Sequence, residues 1–200
     1  MIRVLRQPEP ADFDEVVRQP GLAHLRLHGI DPEAVVPKKH PWKECWRNCA
    51  DPLYNSYSGI CAYFGVRIHK KSGGPEPDHF QPKSKVAAKN AYEWNNYRFA
   101  CHALNNIKGE KEGLIDPFEV GEDWFLFNFI DGGVYPNPQL PQEQQIRVQD
   151  TIERLHLSDA ASNAERLDAF ENYRSSHISR ELFARDYPFL FQELSRQGLV

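Results

Sequence analysis

Asp78-His79-Phe80-Gln81-Pro82-Lys83-Ser84 is the stretch on which the reading of this chain turns. It is followed by Ala91-Tyr92-Glu93-Trp94-Asn95-Asn96-Tyr97-Arg98-Phe99-Ala100-Cys101 and then His102-Ala103-Leu104-Asn105-Asn106-Ile107-Lys108-Gly109. An acid stands beside a histidine, an Asn pair precedes a short apolar run, and Asn-x-x-Lys follows on a segment with helical character. The apolar run predicts a short strand around 96–100. The next residues predict a helix from about Cys101 to Lys108, with Gly109 as its C-terminal cap. Asn105 and Lys108, three apart, then share one helix face. Taken alone, His79 is an ordinary structural or surface histidine, and each Asn pair is an ordinary turn or cap. The ordered combination is what points to chemistry.

Working outward, three regions follow. Residues 1–58 read as a polar helical flank. Apolar positions Phe13, Val16, Val17, Leu22 and Leu25 recur in a segment broken at Pro20-Gly21. A Pro-rich linker, Val36 to Pro41, leads into a helical pattern from Trp42 to Tyr57 that Pro52 shortens or breaks. Residues 59–112 form the expected core, with a strand over Ile60 to Ile68 and a turn-rich loop over Lys70 to Pro77. Residues 113–200 read as a strand, Trp124 to Ile130, followed by three amphipathic helices at about 142–155, 160–174 and 180–197. Their apolar positions include Ile146, Ile152, Leu155, Leu182, Phe189, Leu190 and Leu194. The fold class expected is α+β.

Two hundred residues with 12 Phe, 8 Tyr and 4 Trp can bury a core without disulfides. No run of about 18 apolar residues is present, so no membrane span is expected. The N-terminal residues lack the apolar run of a signal peptide, so the four cysteines are expected as reduced thiols in the cytoplasm. The net charge is −4, yet Val66 to Lys111 holds nine Lys or Arg against four Asp or Glu, a local +5 that leaves −9 elsewhere. A phosphate-binding surface and a solvated lysine-rich loop both fit that imbalance.

The ordered motif resembles the HNH endonucleases: Asp-His at a strand, Asn before a second strand, and Asn-x-x-Lys on a helix. The resemblance covers roughly 50 residues, a quarter of the chain. The DHFxPKS and YEWNNYR phrasing is similar to HNH nucleases of bacterial antiphage systems, including the Septu type. The resemblance implies a ββα-metal core with N- and C-terminal helical flanks. It implies His79 as general base, Asn96 as the residue orienting the catalytic loop, and Asp78 and Asn105 as ligands of one Mg²⁺ or Mn²⁺. Asn95 and Asn106 are the register alternatives. Lys83, Arg98 and Lys108 are the expected phosphate contacts. The implied substrate is nucleic acid, DNA ahead of RNA, with an antiphage role and a protein partner such as an ATPase subunit as further implications. The alternatives are a nuclease subunit silent until its partner arrives and an inactive nucleic-acid-binding module.

The chemistry explains the residue types. A neutral imidazole can accept a water proton near pH 7, and a hard divalent ion prefers carboxylate and amide oxygens. Neighbouring residues on a strand face opposite ways, so Asp78 and His79 can share one site only where the backbone twists or leaves the strand. The family often carries a zinc on two Cys-x-x-Cys pairs, whereas this chain has Cys61-Ala62-Tyr63-Phe64 and Cys101-His102-Ala103-Leu104. No structural zinc is expected at these positions, because two thiolates do not complete a tetrahedral site. Cys61, Phe64, Cys101 and Leu104 are expected as core instead. The rival is a zinc held by Cys45, Cys49, Cys61 and Cys101. Tyr92 and Trp94 are expected as core, His102 as a helix-surface residue, and His40 and His69 without a role.

Overall fold

Two prolines in five residues do not prevent Pro75–His79 from forming strand β1, because of where they fall in the ladder. β1 pairs antiparallel with β2, Tyr97–Cys101, with Asp78 opposite Arg98 and His79 opposite Tyr97. The flanking bonds His102 N–H to Gly74 O and Phe80 N–H to Asn96 O, both 2.8 Å, continue the same ladder. Residues 74 and 80 are therefore at bonded registers, and Pro75 and Pro77 fall at the intervening non-bonded ones, where no donor is required. The loop expected over Lys70 to Pro77 thus gives way to strand at Pro75. The strand expected over Ile60 to Ile68 is instead a tight turn closed by a single bridge between Ile60 and Arg67. Gly65, at φ +65°, supplies the left-handed residue that reverses the chain there.

The computed structural model describes residues 1–36 and 39–199, so the expected linker from Val36 to Pro41 lies partly outside the described residues. Among them the fold is α+β, with seven α-helices and two small two-stranded antiparallel sheets. No helix among them is long and apolar enough to cross a membrane. The chain forms two interleaved units rather than three consecutive regions: 6–59 with 68–113, and 1–5 with 60–67 and 114–200.

In the first unit a π-helical turn, Asp14–Arg18, runs into helix α1, Gln19–Leu27. Pro20 lies in the first turn of α1, where its missing N–H leaves no helical bond unmade, so the expected break is a change of helix type. A 3₁₀ turn, Cys45–Cys49, precedes α2, Ala50–Ser56, and Pro52 again falls in a first turn. Helix α3, His102–Lys108, follows β2 directly and ends on Gly109 at φ +50°, close to the expected bounds. Gly21 is buried against the ring of Tyr92, and a Cβ there would overlap that ring. Gly21→Ala is expected to cost about 1–3 kcal/mol despite alanine's better helix propensity. Urea melts check this, and a neutral or stabilised variant would contradict the packing.

In the second unit β3, Phe125–Phe127, pairs with β4, Val134–Pro136, which packs on α4, Gln142–Arg154, and α5, Ala160–Arg174, follows in the chain. The single helix expected over 180–197 is two, α6 Arg180–Asp186 and α7 Pro188–Arg196. Pro188 disfavours helical backbone at Tyr187, which sits at φ −131°, ψ 56°. Ile152, Leu155, Phe189, Leu190 and Leu194 are buried as expected, whereas Ile146 and Leu182 are exposed. Buried Glu193 accepts from Phe127 N–H at 2.8 Å and from the Arg196 guanidinium at 2.8 Å, so it ties α7 to β3.

Candidate functional site

A cleft of about 640 Å³ opens beside the end of β1. Asp78, His79, Lys83 and Asn105 all line it, with Glu76 and Trp46. Asp78 and His79, the last two residues of β1, both line the cleft. The Asp78 carboxylate is almost fully buried, and its Oδ1 lies 3.0 Å from Lys108 Nζ. Lys108 also donates to the carbonyl of His79 at 2.7 Å, so one ammonium secures both neighbours.

His79 is held by two aromatic edges and one carbonyl. Its ring centroid is 4.8 Å from that of Trp46 and 5.1 Å from that of Tyr97. Its Nε2 is 3.0 Å from the Ala91 carbonyl, which also accepts from the Tyr97 hydroxyl at 2.7 Å. A carbonyl only accepts, so Nε2 carries the proton and Nδ1 keeps the lone pair. Burial, reinforced by the Lys83 charge, lowers the imidazole pKa to about 3, so the ring is neutral at pH 7.

A stability consequence follows. The unfolded imidazole protonates near pH 6.5, whereas the folded one resists down to about 3. This contribution is therefore complete above about pH 6.5 and is lost as pH falls towards 3, by about 1.4 kcal/mol per unit. In EDTA, the stability difference between wild type and His79→Leu is expected to shift in the variant's favour across that window. Urea melts at pH 7, 6 and 5 check it, and a pH-independent difference would contradict a neutral ring.

Asn96 is buried and braces the loop between the strands. Its Oδ1 accepts from Gln81 N–H at 2.8 Å, and its Nδ2 donates to Gln81 O at 3.1 Å and Asn90 O at 3.0 Å. Asn90 directly precedes Ala91, whose carbonyl fixes His79, so Asn96 acts on the histidine through this loop. Asn95 is exposed. On α3, Asn105 lines the cleft and Asn106 is exposed. The structure thus brings Asp78, His79 and Asn105 to one cleft and places Asn96 behind it.

Glu76 is a cleft residue that the sequence reading missed. It lies two residues before Asp78 on β1, hence on the same strand face. It accepts from Asn105 Nδ2 at 2.7 Å and pairs with His102 Nδ1 at 2.6 Å. Burial opposes its ionisation, but these two bonds hold its carboxyl below the usual range. An ionised carboxylate only accepts, so the Asn105 amide must turn its nitrogen to Glu76 and keep its oxygen for another partner. His102 is exposed as expected, with this bond in addition.

Two of the three expected phosphate contacts are revised. Arg98 is buried, donates to the carbonyls of Asn95 and Tyr97 at 2.8 and 2.9 Å, and lies over the Phe80 ring. Lys108 is buried on Asp78 and His79. Much of the remaining basic segment is paired too: Lys70 with Asp51, Lys85 with Glu112 and Lys89 with Glu33. Lys83 does line the cleft, with its ammonium 3.9 Å from the Trp46 ring centroid, and burial lowers its pKa. The cleft wall carries Glu44, Glu76, Asp78 and Glu110 against Arg47 and Lys83. Lys108 offsets Asp78, and Arg47 pairs with Glu44 at 2.6 Å.

The donors suit a hard divalent ion, since the Asp78 carboxylate and the Asn105 amide both offer oxygen. All four cysteines are free thiols. Burial raises the pKa of Cys45, and that of Cys49 to about 12. Cys61 and Leu104 are fully buried, whereas Phe64 and Cys101 are half-buried. Cys61 and Phe64 belong to one unit and Cys101 and Leu104 to the other. Tyr92 and Trp94 are core, as expected. No protein-family model matches the chain, and no curated protein matches it.

Proposed function

We propose that the chain is a divalent-metal-dependent nuclease of the HNH kind, hydrolysing phosphodiester bonds in DNA. The observation that carries this reading is the placement of a neutral, carbonyl-fixed His79 in one cleft with Asp78 and Asn105. His79 Nδ1 would accept the proton of the attacking water. The negative charge of a bound phosphate would raise the imidazole pKa from about 3, making it a stronger base once substrate is in place. Asn96 holds the loop that fixes the ring, and Glu76 fixes the Asn105 amide. Lys83 and Arg47 are the cationic side chains of the cleft wall. A divalent ion held by Asp78 and Asn105 would neutralise phosphate charge and stabilise the leaving oxyanion.

The test is incubation with supercoiled DNA, single-stranded DNA and RNA in Mg²⁺ or Mn²⁺, each beside an EDTA control. Cleavage of DNA that EDTA abolishes is the expected result. Cleavage of RNA alone would overturn the substrate assignment. Intact substrates throughout, with no Mn²⁺ binding by calorimetry, would overturn the reading.

A further inference from the structure

Three histidines converge away from the cleft, at the C-terminal end of α1. His24 and His28 are four residues apart, one helical turn, and His40 reaches them from the segment before Trp42. Their ring centroids are 4.3 Å apart for His24 and His28, 5.6 Å for His24 and His40, and 5.8 Å for His28 and His40. Imidazoles sharing one tetrahedral ion, with each nitrogen ~2.0–2.1 Å from it, hold their centroids ~5 Å apart. The triangle already has that size.

Two further observations point to a ligand. His40 Nε2 is buried and has no hydrogen-bond partner among the described residues. An enclosed ring nitrogen without a partner is costly unless something coordinates it. His24 Nε2 lies 2.8 Å from the carbonyl of Pro41, so it carries the proton and leaves Nδ1 for a metal. A backbone carbonyl on the far nitrogen is the arrangement that orients metal-binding histidines. The end of α1 adds the partial negative charge of its last carbonyls.

We propose that His24, His28 and His40 form a transition-metal site of the Zn²⁺ class. Three imidazole nitrogens are borderline-soft donors and select Zn²⁺ over Mg²⁺, the reverse of the oxygen donors in the cleft. The site is not preassembled: among the described residues, no three His, Cys, Asp or Glu side chains stand ready to hold an ion. Binding requires the exposed His28 ring to turn towards His24, which stays on the Pro41 carbonyl, and His40. A bound ion would clamp α1 to the segment that carries Trp42. The His40 ring meets Trp42 edge-on at 5.1 Å, and Trp42 lines the cleft, so the clamp would stiffen one cleft wall.

The experiment is Zn²⁺ titration of the chelator-stripped full chain in excess Mg²⁺, followed by calorimetry, with Co²⁺ absorption as a second readout. One Zn²⁺ per chain is expected, with a visible Co²⁺ band. The double variant His24→Ala, His28→Ala is expected to bind Zn²⁺ ~100-fold more weakly or not at all. His28 is exposed and His24 only half-buried near the end of α1, so circular dichroism should show an unchanged fold. Asp78→Ala and His79→Ala are expected to keep the site, which separates this result from any failure of the nuclease reading. Absence of stoichiometric Zn²⁺ would overturn the proposal. So would Zn²⁺ binding that survives the double variant, whether at the cysteines or in the cleft.

Discussion

His79→Ala is expected to reduce phosphodiester cleavage by about 10²–10⁴-fold while leaving the fold in place. The ring is half-buried, and what it loses on truncation is its packing against Trp46 and Tyr97 and one bond to the Ala91 carbonyl. The Tyr97 hydroxyl still satisfies that carbonyl. The loss should therefore fall on kcat in single-turnover kinetics, with circular dichroism unchanged. His79→Gln offers a hydrogen bond but no comparable base, and it should be as inactive. Activity restored by glutamine would mean that His79 positions rather than accepts a proton.

Lys108→Leu is expected to be the most destabilising single substitution at the site, by about 3–5 kcal/mol in EDTA. Lys108 is fully enclosed, and its ammonium both neutralises buried Asp78 and satisfies the His79 carbonyl. Leucine restores part of the volume but neither interaction. Mn²⁺ should recover part of the loss, because an ion on Asp78 supplies the missing positive charge, and in wild type it should add less. Thermal melts of both proteins with and without Mn²⁺ check this. A variant as stable as wild type in EDTA would contradict a buried Asp78–Lys108 pair.

The strands and helix that carry the site were unequally legible in the sequence. β2, α3 and the Gly109 cap could be read because apolar spacing and a left-handed glycine are local signals. β1 was implied only by the resemblance, which sets Asp-His at a strand; its start at Pro75 could not be read, since whether Pro75 and Pro77 are tolerated depends on their register against β2, which is a long-range fact. Register also explains Arg98. Counted as a surface charge, it is drawn inward by its position opposite Asp78 and against Phe80. Glu76 left a signal that was available, the two-residue spacing to Asp78, but its bond to Asn105 depends on how α3 folds back. The division at Tyr187–Pro188 was missed by the expected single helix over 180–197, although proline sterics alone signal it. The union of 1–5 and 60–67 with the C-terminal half was not, since no local pattern encodes it.

Among the candidate residues, Asn96 illustrates what a motif leaves out. Its position before β2 could be read, yet its action on His79 runs through Gln81, Asn90 and then the Ala91 carbonyl. Its side chain reaches the His79 ring only indirectly, through the loop whose Ala91 carbonyl the ring meets.

The most direct measurement is plasmid nicking by the purified full chain in Mn²⁺, run beside an EDTA control and the His79→Ala variant at equal concentration. The expected result is nicked and then linear DNA from the wild type alone, with both controls at background. Nicking that persists in His79→Ala at the wild-type rate would contradict the account, because it would place the cleavage elsewhere.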